Sequence, residues 1–254
     1  MSSSISTREG LLSKARALSG QCWRVVESQS KASTLRLTDT LDEQAVLEGE
    51  IEKTKPPIPA ESSSLHYLLF TPFRYSPYPS NSRFRRAGLT RGVFYGAEFS
   101  ETAVAEIVFY RLLFFNESPN TPWPSHPIDH RAFGADFETK LAIDLTAPPF
   151  TNYRERWTDP VDYSHCLLLA DAAQDADVQV IRYESVRDAS GRANLALLRS
   201  SALLTKQRFP EETWLFHFSK NGVRAICENP RKSLSFDPQS FSRDPRTTDW
   251  VWDR

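Results

Sequence analysis

Gly92-Val-Phe-Tyr-Gly-Ala97 and, three residues on, Ser100-Glu-Thr-Ala-Val-Ala-Glu-Ile-Val-Phe-Tyr110 decide how this chain is read. The first run is short, β-branched and aromatic, and bounded by glycines, which is a strand signal. The second begins with Ser100 as an N-cap and continues as a helix over 102–115, with Ala103, Ile107 and Tyr110 on one face. A strand turning directly into a helix brings residues of both to one place. Glu106 stands out there, because it interrupts the apolar run Ala103-Val-Ala-Glu-Ile-Val-Phe109. A carboxylate in such surroundings is costly unless it is exposed or has partners. It is either a helix-surface glutamate at the edge of the core or a catalytic group beside a cavity.

Upstream, 22–26 reads as a strand and 41–53 as an amphipathic helix that Lys55-Pro-Pro-Ile-Pro59 ends. Residues 66–70 read as a further strand. Residues 72–91 have no periodicity and read as a loop holding Arg74, Arg83, Arg85, Arg86 and Arg91 among Tyr75, Tyr78 and Phe84. Guanidinium forks suit phosphate oxygens, although charge runs are as often plain solvated loops. Alternation along this stretch points Arg83 and Arg85 one way and Arg86 the other.

Downstream, 137–145, 178–183 and 194–198 are strand candidates and 162–173 is a helix. The pair 213–219 and 223–228 forms a hairpin across Lys220-Asn-Gly222. Ser185 falls just past a strand end, where loops carry binding groups, and taken alone it is an ordinary serine. Helices and strands do not alternate, so the expected class is α+β with a mixed or antiparallel sheet.

Composition narrows the function. The 254 residues carry 31 basic and 32 acidic side chains, so general nucleic-acid binding is not expected. An RNase acting through scattered histidines (His66, His126, His130, His165 and His217) is a weaker alternative for the same reason. Cys22, Cys166 and Cys227 form no CxxC pair, which argues against a zinc site or a disulfide framework and for a reducing, cytoplasmic setting. The Ser-rich start has no apolar signal core, and the run 104–115 is broken by Glu106 and Arg111, so no membrane span is expected.

Together, Thr71-Pro-Phe-Arg-Tyr75, Ser82-Arg-Phe-Arg85, Gly92-Val-Phe-Tyr-Gly-Ala97, Glu101-Thr-Ala-Val-Ala-Glu106, Arg182-Tyr-Glu-Ser-Val-Arg-Asp188 and Asn194-Leu-Ala-Leu197 resemble the RES-domain family in order and spacing. The resemblance implies a core like that of ADP-ribosyltransferases, with a split mixed or antiparallel sheet and flanking helices. Residues 1–20 read as a flexible lead-in with room for a short helix, and the resemblance implies a domain over 21–230 with an inserted loop at 116–131 and an extension over 231–254 packed on or trailing the domain.

The family's arginine, glutamate and serine fall on Arg83, Glu106 and Ser185, and its shared aromatic on Tyr95. Trp23-Arg24 resembles an opening aromatic–arginine pair, and Arg74 is a reserve for the arginine. The implied substrate is NAD⁺, with no metal. Glu106 is expected beside the ribose, Arg83 on the phosphates or ribose, and Tyr95 against the nicotinamide. Ser185 is expected to bond the substrate or orient Glu106. The implied activity is that of a toxin that cleaves the nicotinamide–ribose bond. ADP-ribosylation of a protein or mere nucleotide binding are the alternatives. The implied partner is an Xre-type helix-turn-helix antitoxin, and a homodimer is left open.

Overall fold

The computed structural model describes residues 7–28, 37–75, 78–205 and 208–253. Its order is α1 (Arg8–Leu12), β1 (Arg16–Glu27), α2 (Leu41–Thr54), α3 (Tyr67–Arg74), β2 (Phe94–Ala97), α4 (Ser100–Glu117) and β3 (Ile128–Asp144). Then follow α5 (Arg154–Thr158), α6 (Ser164–Asp175), β4 (Val180–Glu184), β5 (Ala193–Leu197), β6 (Glu211–Ser219), β7 (Gly222–Cys227) and β8 (Lys232–Phe236). The class is α+β with a mixed sheet, as the irregular alternation of elements predicts.

The sheet is organised around β3. One edge of β3 pairs with β1 from Arg16↔Ala142 to Glu27↔His130. Its other edge is split: 128–133 pair with β6, and 142–144 pair with β4 in the parallel sense. From β4 the order runs through β5 and β2 back to β1 at Trp23↔Ala97, closing a ring, while β6, β7 and β8 extend outward from β3. Glycine is required where β2 meets its neighbours. A Cβ on Gly96 would stand 2.4 Å from Cys22 Sγ, and one on Gly92 1.5 Å from the Pro72 carbonyl oxygen.

Three clusters make the core. Val104, Val108, Leu112 and Phe115 of α4 recur at helical spacing and pack on Trp214, Phe216, Val223 and Phe241. Ile143, Ile181 and Ala196 pack under Leu169 and Ala173 of α6. Leu69 and Phe73 of α3 cover Phe94, Phe133 and Leu195.

Several expectations change. Residues 66–70 are helical: His66 caps α3 by accepting from the Leu68 N–H, and Leu65, Leu69 and Phe73, buried at a spacing of four, form a helical stripe. The helix therefore takes in Pro72 to Arg74 from the stretch expected to be loop. Phe99, not Ser100, is the N-cap of α4 and makes no side-chain cap; Ser100 Oγ instead donates to Glu101 and accepts from Lys232.

The expected lead-in carries α1, whose Leu11 is fully buried, and the first residues of β1. The C-terminal stretch adds β8 and buries Phe241 and Asp244. The expected insertion ends at β3, and its Trp123 packs on Phe115, Phe218 and Trp252. Conversely, α2 forms where its apolar spacing predicts it but buries none of its residues. No helix among the described residues is long and apolar enough to cross a membrane.

Candidate active site

A cavity of about 560 Å³ opens between α4, the ends of β2, β4 and β5, and the 80–86 turn. Its described lining holds five arginines (Arg24, Arg83, Arg85, Arg187, Arg246), five tyrosines (Tyr78, Tyr95, Tyr110, Tyr163, Tyr183) and a single carboxylate, Glu106. Such a surface favours an anion with flat rings and places one negative group among many positive ones.

Glu106 sits on the cavity side of α4, between the core-facing Val104 and Val108. Its Oε1 accepts from Ser185 Oγ at 2.7 Å and from Asn194 Nδ2 at 2.6 Å. No cation among the described residues pairs with it. Ser185 follows β4 directly, and its hydroxyl oxygen accepts from the Arg187 and Asp188 N–H groups, which turns its proton toward Glu106. Asp188 in turn accepts from Thr102 Oγ1 at 2.6 Å, tying this turn to the start of α4. Ser185 is therefore behind Glu106 and not on the cavity surface. Of its two expected roles, orienting the carboxylate is the one its bonds match.

The arginine turn is a tight hairpin in which Ser82 and Arg85 exchange backbone hydrogen bonds around Arg83 and Phe84. Phe84 is buried against Tyr183. Arg83 and Arg85 reach the cavity, whereas Arg86 turns away to Asp171. That separation agrees with alternation but arises from a turn. Arg83 is buried, donates to the Trp157 carbonyl at 2.7 Å and stacks over the Tyr163 ring. Arg85 lies 3.9 Å over the Tyr78 ring, and its buried Nε has no partner among the described residues.

Arg24 reaches the cavity from β1, donates to the Tyr95 carbonyl, and is held below the usual guanidinium value by burial. Arg74 is not in the cavity lining. It pairs with Glu52 at 2.7 Å and donates to the Pro56 carbonyl, fastening α3 to the α2 end.

Tyr95 lines the cavity with its ring, but its hydroxyl is engaged: it accepts from the Phe84 N–H at 3.0 Å and shares a hydrogen bond with Ser82 Oγ. It thus pins the arginine turn. Burial pushes its phenol up; burial and then the Glu106 charge do so at Tyr183; burial, then Tyr163 and Glu106, at Tyr110. All three are neutral donors at ordinary pH.

Four further groups were not singled out by the sequence. Asn194 completes the pair of donors on Glu106. Arg187 and Arg246 converge on Asp244, which is fully buried, at 2.7 Å each. Both also donate to the Pro160 carbonyl and cover the Phe109 ring. Arginine density could have flagged the C-terminal segment; the lone Asn in Ala193-Asn-Leu-Ala-Leu197 was visible as a polar residue in an apolar strand. Among the described residues no group of three or more His, Cys, Asp and Glu could hold a metal ion.

An α+β domain with one glutamate fixed at the wall of an arginine- and tyrosine-lined cavity is the class this geometry defines. Residues 58–219 match the RES domain model, and the chain belongs to the RES-domain family. Arg24 and Arg246 of the cavity lie outside the matched span. Among solved structures it is similar to one described as the crystal structure of the M. tuberculosis MbcT-MbcA toxin-antitoxin complex. The TM-score is 0.47 and the identity 11%, over 93% of this chain and 95% of that one. No curated protein matches.

Proposed function

We propose that this protein is an NAD⁺-consuming toxin that cleaves the nicotinamide–ribose bond. The observation that carries the reading is Glu106, a carboxylate held by two neutral donors and, among the described residues, by no cation, in a cavity whose described lining holds five arginines. The bond between C1′ and the ring nitrogen breaks with its electron pair leaving on nicotinamide. Positive charge then develops on the ribose, and a fixed carboxylate lowers the energy of that state. In this reading Arg85 and Arg24 meet the pyrophosphate, and Arg83, committed to Trp157 and Tyr163, shapes that end of the cavity. Tyr95 holds the arginine turn and offers its ring as a wall.

Water as acceptor gives ADP-ribose, nicotinamide and a proton; inorganic phosphate gives ADP-ribose 1″-phosphate and nicotinamide. In this reading the core is ADP-ribosyltransferase-like, the protein works in the cytoplasm, and an Xre-type antitoxin holds it in check. The test is to incubate the purified chain with NAD⁺, with and without phosphate, and to identify the products. Nicotinamide together with either ribosyl product supports the reading. Intact NAD⁺ with degraded RNA, or ADP-ribose transferred to a protein, refutes NAD⁺ degradation.

A further inference from the structure

Every residue of β5 is buried, and its neighbours in sequence are alanine and leucine, yet Asn194 stands among them at 3% exposure. A carboxamide in such a place is unfavourable unless both its ends are bonded. Only one is. Nδ2 donates to Glu106 Oε1 at 2.6 Å, while the buried Oδ1 has no partner among the described residues. Turning the amide over would set Oδ1 against a carboxylate oxygen, acceptor against acceptor, so the orientation is dictated by Glu106. The strand thus carries an orphan acceptor in return for one donor aimed at that carboxylate.

We propose that Asn194 is a positioning residue for Glu106, acting through its Nδ2–H in the cleavage of NAD⁺; the proposal rests on Glu106 being the reacting carboxylate. Two donors from different elements, Ser185 after β4 and Asn194 on β5, converge on Oε1. Together they fix the plane of the carboxylate and leave Oε2, which bonds to none of the described residues, as the oxygen for the substrate. Ser185 alone leaves the carboxylate free to swing about that one bond; the second donor removes the freedom. Because both donors favour the charged form, removing either disfavours it.

The surroundings make that effect readable. Sharing the cavity lining with Glu106 are Tyr110 of α4, Tyr183 of β4, Tyr163 before α6, Tyr95 of β2, and the guanidiniums of Arg83 and Arg187. Burial raises the phenols Tyr95, Tyr110 and Tyr183 away from the acid range, and an arginine stays protonated. Asp188, in the turn below, is held under the ordinary carboxylate range: burial opposes this, but bonds from Arg192 and Thr102 prevail.

The experiment uses the full chain and two substitutions. Asn194→Leu, which has the same branched arrangement of four side-chain heavy atoms, removes both the donor and the orphan acceptor. It is expected to melt at or above the wild-type temperature, and to lose about ten-fold or more in kcat. Its KM for NAD⁺ should stay within about two-fold, as expected for a group acting on turnover and not on binding. The acid limb of its kcat profile should move to higher pH. Asn194→Asp is read by melting without substrate, at a pH where both carboxylates are ionised. It should lower the Tm of the wild type more than that of Glu106→Gln, because only the former then opposes two charges.

Wild-type kcat with an unshifted acid limb in Asn194→Leu overturns the proposal. So does an equal Tm loss from Asn194→Asp in both backgrounds. If the wild type releases no nicotinamide, the functional reading falls instead, and the paired melts still decide whether Asn194 and Glu106 act on each other.

Discussion

Two carboxylates, Asp244 outside the cavity lining but held by two of its arginines, and Glu106 within that lining, are satisfied in opposite ways. Asp244 is wholly enclosed and lies between two guanidiniums, Arg187 and Arg246. Burial pushes its pKa up, but the bonds from Arg246 and the charge of both arginines outweigh it and hold the group below the ordinary value. Its charge is cancelled on the spot, so it acts as a rivet between β4, the Pro160 loop and the C-terminal segment. Glu106 has two neutral donors and, among the described residues, no cation. Its position is fixed while its charge is left to act on whatever enters the cavity. Removing the first carboxylate should therefore damage the fold, and removing the second the reaction.

The largest stability effect is expected at Asp244. Asp244→Ala leaves two arginines facing each other with no other carboxylate paired to either among the described residues, and breaking a buried pair in this way costs about 3–5 kcal/mol. Chemical denaturation should find the variant strongly destabilised. A loss under 1 kcal/mol, on the scale of an exposed pair, would mean that the cluster is solvated and no rivet.

Ser185 belongs to both sides of the contrast, since it orients Glu106 and closes its own turn. Ser185→Ala should lose about 1–2 kcal/mol of stability and about ten-fold in kcat. A stability loss with unchanged turnover would reduce it to a turn residue.

Among the arginines, Arg85→Ala should weaken NAD⁺ binding by about ten-fold, from loss of a charge-assisted contact. Arg74→Ala and Arg86→Ala, whose side chains are spent on Glu52 and Asp171, should leave it within about two-fold. Calorimetric titration of Glu106→Gln backgrounds checks this without turnover, and equal losses at all three positions would mean that the arginines act only through net charge.

The smallest effect is electrostatic and lies outside the cavity lining. His130 on β3 is fully buried, stacked on Phe216, with Nε2 unpartnered among the described residues, and burial lowers its pKa below 6.5. A depressed histidine is neutral in the fold, so as pH falls below 6.5 the unfolded chain takes up a proton that the native state refuses, and stability declines. His130→Phe should flatten the stability curve between the neutral plateau and about pH 4, below which the depressed Asp144, Asp188 and Asp244 lose their contributions in any variant. An unchanged slope in His130→Phe would place the proton uptake elsewhere.

Local signals were legible in the sequence and distant ones were not. The β2–α4 unit reads correctly because its periods change cleanly from strand to helix at Ala97 and Ser100, and Glu106 was visible as the one charge in an apolar face. The hairpin of β6 and β7 was legible in Asn221-Gly222. By contrast, α3 was misread because the apolar spacing that marks it, Leu65, Leu69 and Phe73, runs across Pro72, where a break was expected. The arginines could not be sorted by density: it takes the turn at Arg83-Phe84 and the course of α3 to send Arg85 to the cavity and Arg74 to Glu52.

Asp244 and Arg246 are far in sequence from Arg187, and no local pattern announces a contact that only the folded C-terminal segment makes. The same holds for Asn194, a polar residue whose partner lies 88 positions away on α4.

The central claim is that the charge of Glu106 drives the reaction and does not hold the fold. Nicotinamide release from NAD⁺ by the wild type and by Glu106→Gln, with a melting curve for each, tests it most directly. The account predicts that the glutamine, which keeps shape but loses charge, melts close to the wild type and releases nicotinamide at least about a hundred-fold more slowly. A well-folded Glu106→Gln protein that turns over NAD⁺ at the wild-type rate would contradict it.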